Sequence, residues 1–293
     1  MYNLDQLNMF VTAAKLGSFS ACARHLGKVQ SAVSQGISNL EIDLNVELFD
    51  RSTRKPGLTE EGQHLLTFAE AILQQARELE SASKALTKHE ETQLTLVVDD
   101  GLQVDKLFDI LDTFGQQFTS TSLHMKTASS SDIIDIILSG EANIGVMLSD
   151  FVMSREVDLC YIGNMTFIPV VCSSHPLSLL SKVEPADMIP IRQLSIRGSH
   201  LSKQQHFPAI SSRVWSTNNP FSLMALVEKG MGWTYLPRHL ALNGIESGRL
   251  HALPVSFDHK EWSIPVESLT PKGISMGPAT VWLKQALNGL LDD

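Results

Sequence analysis

Two helical patterns separated by a short turn lie near the start of the chain, and they constrain its fold more than any other feature. The stretch reads SFSACARHLGKVQSAVSQGISNLE, from Ser18 to Glu41. A run from Ser18 to about Leu26 precedes a turn at Gly27. Apolar residues then recur at steps of three and four, at Val33, Ile37, Leu40 and Leu44. This spacing predicts two helices, and two helices joined by a short turn containing glycine form a helix-turn-helix unit.

A further helix is predicted before this unit. Apolar side chains follow one helical face, at Leu4, Leu7, Val11 and Ala14. Gly17 stands where a helix C-terminus favours a left-handed residue, and Ser18 can cap the helix that follows. The N-terminal part of the chain is therefore predicted to be all-α.

The second helix of the unit carries an uncharged polar face. Its members are Gln30, Ser31, Ser34, Gln35 and Ser38. A solvated surface is one interpretation. The following loop, LFDRSTRKPGLTEEG, favours another, because Arg51, Arg54 and Lys55 lie within five residues there. Such cations can hold a phosphate backbone while short polar side chains reach base edges. We therefore predict that these eight side chains contact DNA.

The charge of this segment is balanced. Residues 1–60 contain six basic and six acidic side chains, and the 293-residue chain has a net charge of −9. Gly36, inside a helix, costs roughly 1 kcal/mol relative to alanine. Weak DNA binding by each monomer, strengthened by dimerisation, is therefore expected.

One long helix is predicted from Thr59 to about Glu90. Apolar or small residues keep steps of four and three throughout, at Leu65, Ala69, Ile72, Ala76, Leu79, Ser83 and Leu86. A single core helix could show the same positions. The flanking side chains are polar and leave a narrow stripe, which favours a partner helix. This seam predicts a homodimer.

Strands and helices alternate after residue 92. An apolar strand at Leu94–Val98 and further extended segments at Ser122–Thr127 and Asn143–Met147 are separated by helical patterns, which predicts a parallel sheet covered by helices. A second unit of this kind runs from about residue 166 to residue 265. The final helix, Ala279–Leu290, could return to the first unit. Two α/β lobes joined by two crossings are expected.

These residues resemble the LysR-type transcriptional regulators. The resemblance rests on ARHLGKVQSAVSQGISNLE, from Ala23 to Glu41, and on LFDRSTRKPGLTEEG, from Leu48 to Gly62, in the family's order and spacing. Three weaker matches extend it, at Ser139–Met147, His175–Leu177 and Leu226–Ala241. The helix here lacks the arginine or lysine that family members often carry near its middle.

The resemblance implies an arrangement of domains. Residues 1–58 would form a winged helix-turn-helix, 59–91 a linker and dimerisation helix, and 92–293 an effector domain similar to bilobed periplasmic solute-binding proteins. Lobe I would comprise about 92–165 and 266–293, and lobe II about 166–265. The fold class is α/β with an all-α N-terminal domain.

The resemblance also implies a function. The protein would be a sequence-specific transcriptional regulator whose promoter binding or geometry changes when a small-molecule inducer occupies the cleft between the lobes. The implied partners are double-stranded promoter DNA, the inducer and further copies of the chain as a homodimer or homotetramer. RNA polymerase is a candidate further partner.

Strand ends suggest which residues line the cleft, because open α/β sheets bind ligands there. In the first lobe these are Asp99, Asp100, Gly101, Ser129 and Ser130. In the second they are Ser195, Ile196, Arg197, Gly198 and Asn218. Serines at a helix start favour an anion or serve only as caps, and Arg197 could bind a carboxylate or lie at the surface. The two aspartates complicate an anion site, so the ligand could be polar, zwitterionic or amine-bearing.

Other chemistry has little support in the sequence. Cys22, Cys160 and Cys172 form no CxxC pair, which indicates a reducing compartment and inert thiols, although a thiol switch stays an alternative. No zinc spacing, nucleotide-binding loop or nucleophile elbow occurs, so we expect no metal, cofactor or catalysis. A sequestering solute-binding protein and a bilobed enzyme are the rival hypotheses. Neither a secretion signal nor a membrane span is recognisable, so a cytoplasmic location is expected.

Overall fold

The chain is described here from a computed structural model, over residues 2–52, 56–87, 89–150, 154–197 and 207–292. It divides into two compact units, Met1–Thr87 and Lys88–Asp293, each with a hydrophobic core of its own. None of the helices in these described ranges is long and apolar enough to cross a membrane.

The first unit is a helical domain with a two-stranded wing. Its elements are α1 (Leu4–Leu16), α2 (Phe19–His25), α3 (Gln30–Leu44), β1 (Phe49–Asp50), β2 (Gly57–Leu58) and α4 (Glu60–Thr87). The predicted boundary signals are confirmed, since Gly17 ends α1 at a φ of 60° and the Ser18 side chain accepts a hydrogen bond from the N–H of Ala21. β1 and β2 pair antiparallel.

The predicted core face of α3 is confirmed. Val33, Ile37 and Leu40 are fully buried in one cluster with Leu7 and Phe10 of α1. The face predicted for α1 is wrong at its first member, because Leu4 is 49% exposed and the buried side chains begin at Leu7. Leu4 is the first residue of the helix and precedes the part that packs into the core.

The start of α4 is fixed to the wing by residues of the LTEEG motif. The Thr59 hydroxyl donates to the carbonyl of Glu47 at 2.7 Å and accepts from the N–H of Gly62 at 2.8 Å. A Cβ atom at Gly62 would overlap the carbonyl group of Leu48. This close approach is why the motif needs glycine there.

The seam predicted along α4 is only partly available to a partner helix. Ala69 is buried in the core of its own unit, and Leu65 packs against the same core. The seam residues further along are exposed, at 39% for Ile72, 73% for Leu79 and 62% for Leu86. The prediction that the whole seam faces a partner is therefore wrong for its first turns, because α1 packs against them.

The second unit begins with a βαβαβ segment. It comprises β3 (Gln93–Asp99), α5 (Asp105–Gln117), β4 (Ser122–Ala128), α6 (Ser130–Leu138) and β5 (Ile144–Leu148). β3 pairs in parallel with both β4 and β5, as the alternation of strand and helix predicts.

Shorter elements lie between two long strands in the described residues. The long strands are β6 (Val157–Cys172) and β11 (Trp262–Pro271). Between them come α7 (Pro185–Met188), β7 (Gln193–Ile196), β8 (Val214–Thr217), α8 (Pro220–Glu228), β9 (Thr234–Pro237), α9 (Arg238–Glu246) and β10 (Leu250–Ala252). The chain then forms α10 (Pro278–Leu287).

The main sheet is mixed, which corrects the expectation of a purely parallel sheet. Its strand order is β10-β6-β11-β5-β3-β4, and β9 pairs with β6. β11 runs antiparallel to both β5 and β6 because the chain returns from the second lobe along it. β7 and β8 form a separate parallel pair. The two long strands are the two crossings predicted between lobes.

Candidate DNA-binding surface and ligand cavity

The polar face of α3 is exposed as its sequence predicts. Gln30, Ser31 and Gln35 are exposed, and Ser34 and Ser38 are partly buried at the edges of the face. The Gln35 amide donates to the side-chain oxygen of Asn39 at 2.8 Å, one helical turn away. No described side chain caps the start of α3, where Val29 precedes the helix. Its first N–H groups and polar side chains therefore share one accessible region.

A carboxylate on α3 holds the wing. One oxygen of Glu41 accepts from the backbone N–H groups of Leu48 and Phe49, at 2.9 and 3.2 Å. Its other oxygen accepts from the Arg51 guanidinium at 2.6 Å. Arg51 also donates to the Ser38 hydroxyl at 3.0 Å. Arg51 thus joins α3 to the wing, a role that the sequence did not suggest.

The structure does not describe two of the predicted DNA contacts. Arg54 and Lys55 lie outside the described residues. Elsewhere in the described part of the first unit, Lys15 pairs with Glu70 at 2.8 Å and Lys28 with Asp5 at 3.1 Å. Arg24 is exposed near the end of α2 and has no carboxylate partner among the described residues. Sequence reasoning did not single out Arg24.

Gly36 has a packing role that its helix propensity did not reveal. A Cβ atom there would lie 2.5 Å from the sulfur of Met9 on α1. The flexible end of the Met9 side chain fills the space that a Cβ atom would take, so an alanine there would require only this side chain to move.

The second unit contains a cavity between residues of its two lobes. The first lobe contributes Asp99, Gly101, Ser129, Ser130, Ser131 and Leu148. Phe167 of β6 lines it too, and the second lobe contributes Gln193, Leu194, Ser195, Ile196, Arg197, Phe207, Thr234, Tyr235 and Pro237. It encloses about 80 Å³ of space accessible to water. One water needs roughly 10–15 Å³ of such space, so there is room for about six waters.

A buried carboxylate occupies the start of α6 in this cavity. The Asp99 Oδ2 atom accepts from the backbone N–H of Ser130 at 2.8 Å and from its hydroxyl at 2.5 Å. The Oδ1 atom accepts from the N–H of Gly101 at 2.8 Å. Burial raises the pKa of Asp99, and these hydrogen bonds oppose that increase. Asp99 therefore occupies the position where the sequence suggested an anionic ligand.

The neighbouring predicted residues have distinct positions. Asp100 is buried but does not line the cavity, and its charge adds to the rise in the pKa of Asp99. The Ser129 hydroxyl donates across the cleft to the carbonyl of Asn218 at 2.9 Å, so it does not cap α6. The side chain that caps α8 belongs to Asn219, and Asn218 is not a lining residue.

The end of β7 forms the facing wall, as predicted. Ser195, Ile196 and Arg197 all line the cavity, and Arg197 is exposed at its rim. Gly198, predicted beside them, lies outside the described residues.

Sequence reasoning missed an aromatic wall. The rings of Phe207 and Tyr235 stack at 4.4 Å with an angle of 8° between their planes, and Phe167 meets Phe207 edge to face at 5.1 Å. The Tyr235 hydroxyl donates to Asp258 at 2.6 Å, and burial with this carboxylate raises the pKa of Tyr235. The apolar run around Phe167 and the WTYLP stretch predicted strands but not which side chains would meet.

The described ranges contain no cluster of three or more potential metal ligands. Cys22 and Cys172 are buried and Cys160 is partly buried, and all three are free thiols.

Comparison with known proteins identifies the family. Residues 4–63 match the bacterial regulatory helix-turn-helix protein family of LysR type, and residues 87–291 match the LysR substrate binding domain. The HTH-type transcriptional regulator AceR of Acinetobacter baumannii is 31% identical over 256 residues, which cover 86% of this chain and 85% of AceR. The chain belongs to the LysR family of transcriptional regulators.

Solved structures agree on the fold. Full-length CbnR, a LysR family regulator, in complex with its target DNA superposes with a TM-score of 0.52 at 18% identity, covering 98% of this chain and 99% of CbnR. LysG of Corynebacterium glutamicum with its bound effector Arg gives a TM-score of 0.50 at 16% identity, covering 98% and 97%.

The family membership predicted from the two motifs is confirmed. The protein is a DNA-binding transcriptional regulator with an effector domain, and not an enzyme. Modulation by an inducer is the typical mode of this family.

Proposed function

We propose that the exposed polar face of α3 reads a promoter sequence in the major groove. The observation that carries this proposal is the combination of exposed Gln30, Ser31 and Gln35, with half-buried Ser34 beside them, and a core face that is fully buried. Amide and hydroxyl groups recognise the hydrogen-bonding pattern of base edges. Arg54, Lys55 and Arg24 supply contacts to phosphates, which position the helix without specifying sequence. Arg51 and Ser38 hold the wing against α3, and they also contact DNA.

The regulator acts as a dimer, or as a dimer of dimers. Tyr2, which precedes α1, and Leu4, its first residue, line one exposed depression together with Ile72 of α4. Leu79 and Leu86 continue the apolar stripe along α4. Burying this stripe against a second copy removes apolar surface from water and pairs two recognition helices. The binding site is then a two-fold repeat spaced by the helical turn of DNA.

The inducer occupies the cavity of the second unit. Side chains from both lobes line it, so a bound molecule favours the lobe arrangement with which it makes the better contacts. RNA polymerase is the partner through which occupancy of the promoter would change transcription. As a regulator that acts on chromosomal promoters, the protein works in the bacterial cytoplasm.

Recovery and sequencing of DNA bound to the full-length protein in cells tests this proposal. Discrete sites that share an inverted repeat are the expected result. Uniform or absent recovery would contradict it and favour a protein that only sequesters its ligand. The genes beside the sites would indicate the pathway that supplies the inducer.

A further inference from the structure

We infer that the inducer carries a primary ammonium group, which the Asp99 carboxylate binds inside the cavity. This inference rests on the proposed function of that cavity as the inducer site. It concerns the chemical class of the inducer, which the family leaves open.

The N-terminus of α6, which would attract an anion, is already occupied by the Asp99 carboxylate. The backbone N–H and hydroxyl of Ser130, at the start of α6, both donate to Asp99 Oδ2. The Ser130 oxygen in turn accepts from the N–H of Leu148 at 2.8 Å, so this serine is fully engaged. A ligand carboxylate placed here would meet a second negative charge in a buried site, which is strongly unfavourable.

Asp99 keeps the capacity to bind a cation. Its Oδ1 atom accepts one hydrogen bond, from Gly101, whereas each oxygen of an ionised carboxylate can accept two. No lysine, arginine or histidine of the described residues forms an ion pair with Asp99, although its side chain lines the cavity. A buried carboxylate is costly unless a charge of opposite sign pairs with it, and a ligand ammonium provides that charge.

The rest of the cavity suits the body of a small amine. The stacked rings of Phe207 and Tyr235, with Phe167 beside them, provide aromatic surface along one wall. Aromatic faces attract organic cations as well as apolar carbon atoms. Space for about six waters suits a molecule of similar size, such as a short or singly ringed amine.

Arg197 distinguishes two kinds of ligand that carry an ammonium group, amino acids and free amines. It lines the opposite wall, at the end of β7. An amino acid would place its carboxylate toward Arg197, because guanidinium groups bind carboxylates in two-point fashion. A free amine would have no such contact.

Four small probes that share a phenyl ring test the inference by calorimetry with the full-length protein: benzylamine, benzyl alcohol, benzoate and phenylglycine. The expected result is that benzylamine or phenylglycine binds at least about tenfold more tightly than benzyl alcohol, and that benzoate binds most weakly. Benzoate binding as tightly as the stronger of the two ammonium probes would overturn the inference. So would the absence of binding by both ammonium probes at millimolar concentration.

Matched variants test whether Asp99 is the carboxylate that binds the ammonium group. Asp99→Asn should remove the preference for the ammonium probes, whereas Asp105→Asn, on the same lobe and outside the cavity lining, should keep it. An unchanged preference in a folded Asp99→Asn protein would contradict the inference. If this variant does not fold, the comparison of the four probes on the wild-type protein decides. Weaker binding of phenylglycine alone in Arg197→Gln would identify amino acids, and no change would identify free amines.

Failure of this inference can be told from failure of the proposed function. A protein that binds benzoate or no ammonium probe, yet binds its promoter site specifically, remains a regulator with a different inducer. A protein that binds the amine but no specific DNA would contradict the proposed function alone.

Discussion

At the scale of single residues, Glu41 holds the wing against α3. Its carboxylate accepts two backbone N–H groups of the wing and the guanidinium of Arg51. Only 13% of its side chain is exposed, so these interactions are partly shielded from water. The acidic residue that ends the recognition motif therefore belongs to the scaffold and not to the DNA-reading face.

Glu41→Gln should loosen the wing. The substitution removes the charge and turns one acceptor into a donor facing existing donors, which costs about 1–3 kcal/mol. Hydrogen exchange of the Leu48 and Phe49 amides should accelerate by about tenfold or more. Glu47→Gln, at an exposed carboxylate with no side-chain hydrogen bond in the described chain, should leave these rates unchanged. Equal exchange in both variants would contradict this role of Glu41.

Gln30 and Arg54 should affect DNA binding differently. Gln30→Ala should change the preferred sequence, because the glutamine is exposed on the face that we assign to base contacts. Arg54→Ala should weaken binding to all sequences and reduce the slope of log affinity against log salt by about one. Titrations of a panel of labelled duplexes at several salt concentrations measure both. The assignment fails if the two variants give the same pattern.

At the scale of elements, Glu91 caps α10. Its carboxylate accepts from the N–H groups of Ala279 and Thr280, at 3.0 and 3.2 Å, and from the Thr280 hydroxyl at 2.5 Å. Partial burial works against ionisation, yet these hydrogen bonds lower the pKa of Glu91 below its ordinary value of 4.5. This contact joins the segment after α4 to the last helix of the second unit.

Glu91→Gln should destabilise the second unit in a pH-dependent way. A group whose pKa is lowered by folding stabilises the protein above its unfolded pKa, and this contribution is lost as pH falls through its folded pKa. The difference between wild type and variant should therefore be about 1 kcal/mol near neutral pH and shrink below about pH 4.5. Urea unfolding followed by tryptophan fluorescence measures it, since all four tryptophans lie in this unit. A difference independent of pH would contradict the capping role.

The exposed part of the α4 seam should support dimerisation. Leu79→Asn places an amide in a stripe that is otherwise apolar, so it should shift the full-length protein toward monomers in sedimentation experiments. Lys84→Asn, on a different face of the same helix, is the matched control and should leave the distribution unchanged. Dimers that persist in Leu79→Asn at wild-type strength would contradict this interface.

Local patterns predicted the elements better than the contacts between them. Val33, Ile37 and Leu40 repeat within a single helix, so periodicity alone identified the buried face of α3. The contact between Asp99 and Ser130 spans 31 residues, and that between Ser129 and Asn218 spans 89. Only tertiary packing brings such groups together. Strand ends therefore predicted most of the polar cavity lining, while the aromatic wall required the fold.

At the scale of the whole molecule, regulation requires that the two ligands influence each other. If the inducer changes the affinity for promoter DNA by some factor, the DNA must change the affinity for the inducer by the same factor. Calorimetric titration of the ligand into free and DNA-bound protein should therefore match the shift seen in DNA titrations. A factor of one in both titrations would mean that the ligand does not change the affinity for promoter DNA.

The affinity of the full-length protein for a recovered promoter site, relative to a shuffled duplex of the same composition, tests the central claim most directly. Both are measured at one salt concentration, because phosphate contacts alone depend strongly on salt. The account predicts a ratio of at least about 10³, reduced in Gln30→Ala. A ratio near one would show that the polar face of α3 does not read sequence, and would contradict the account.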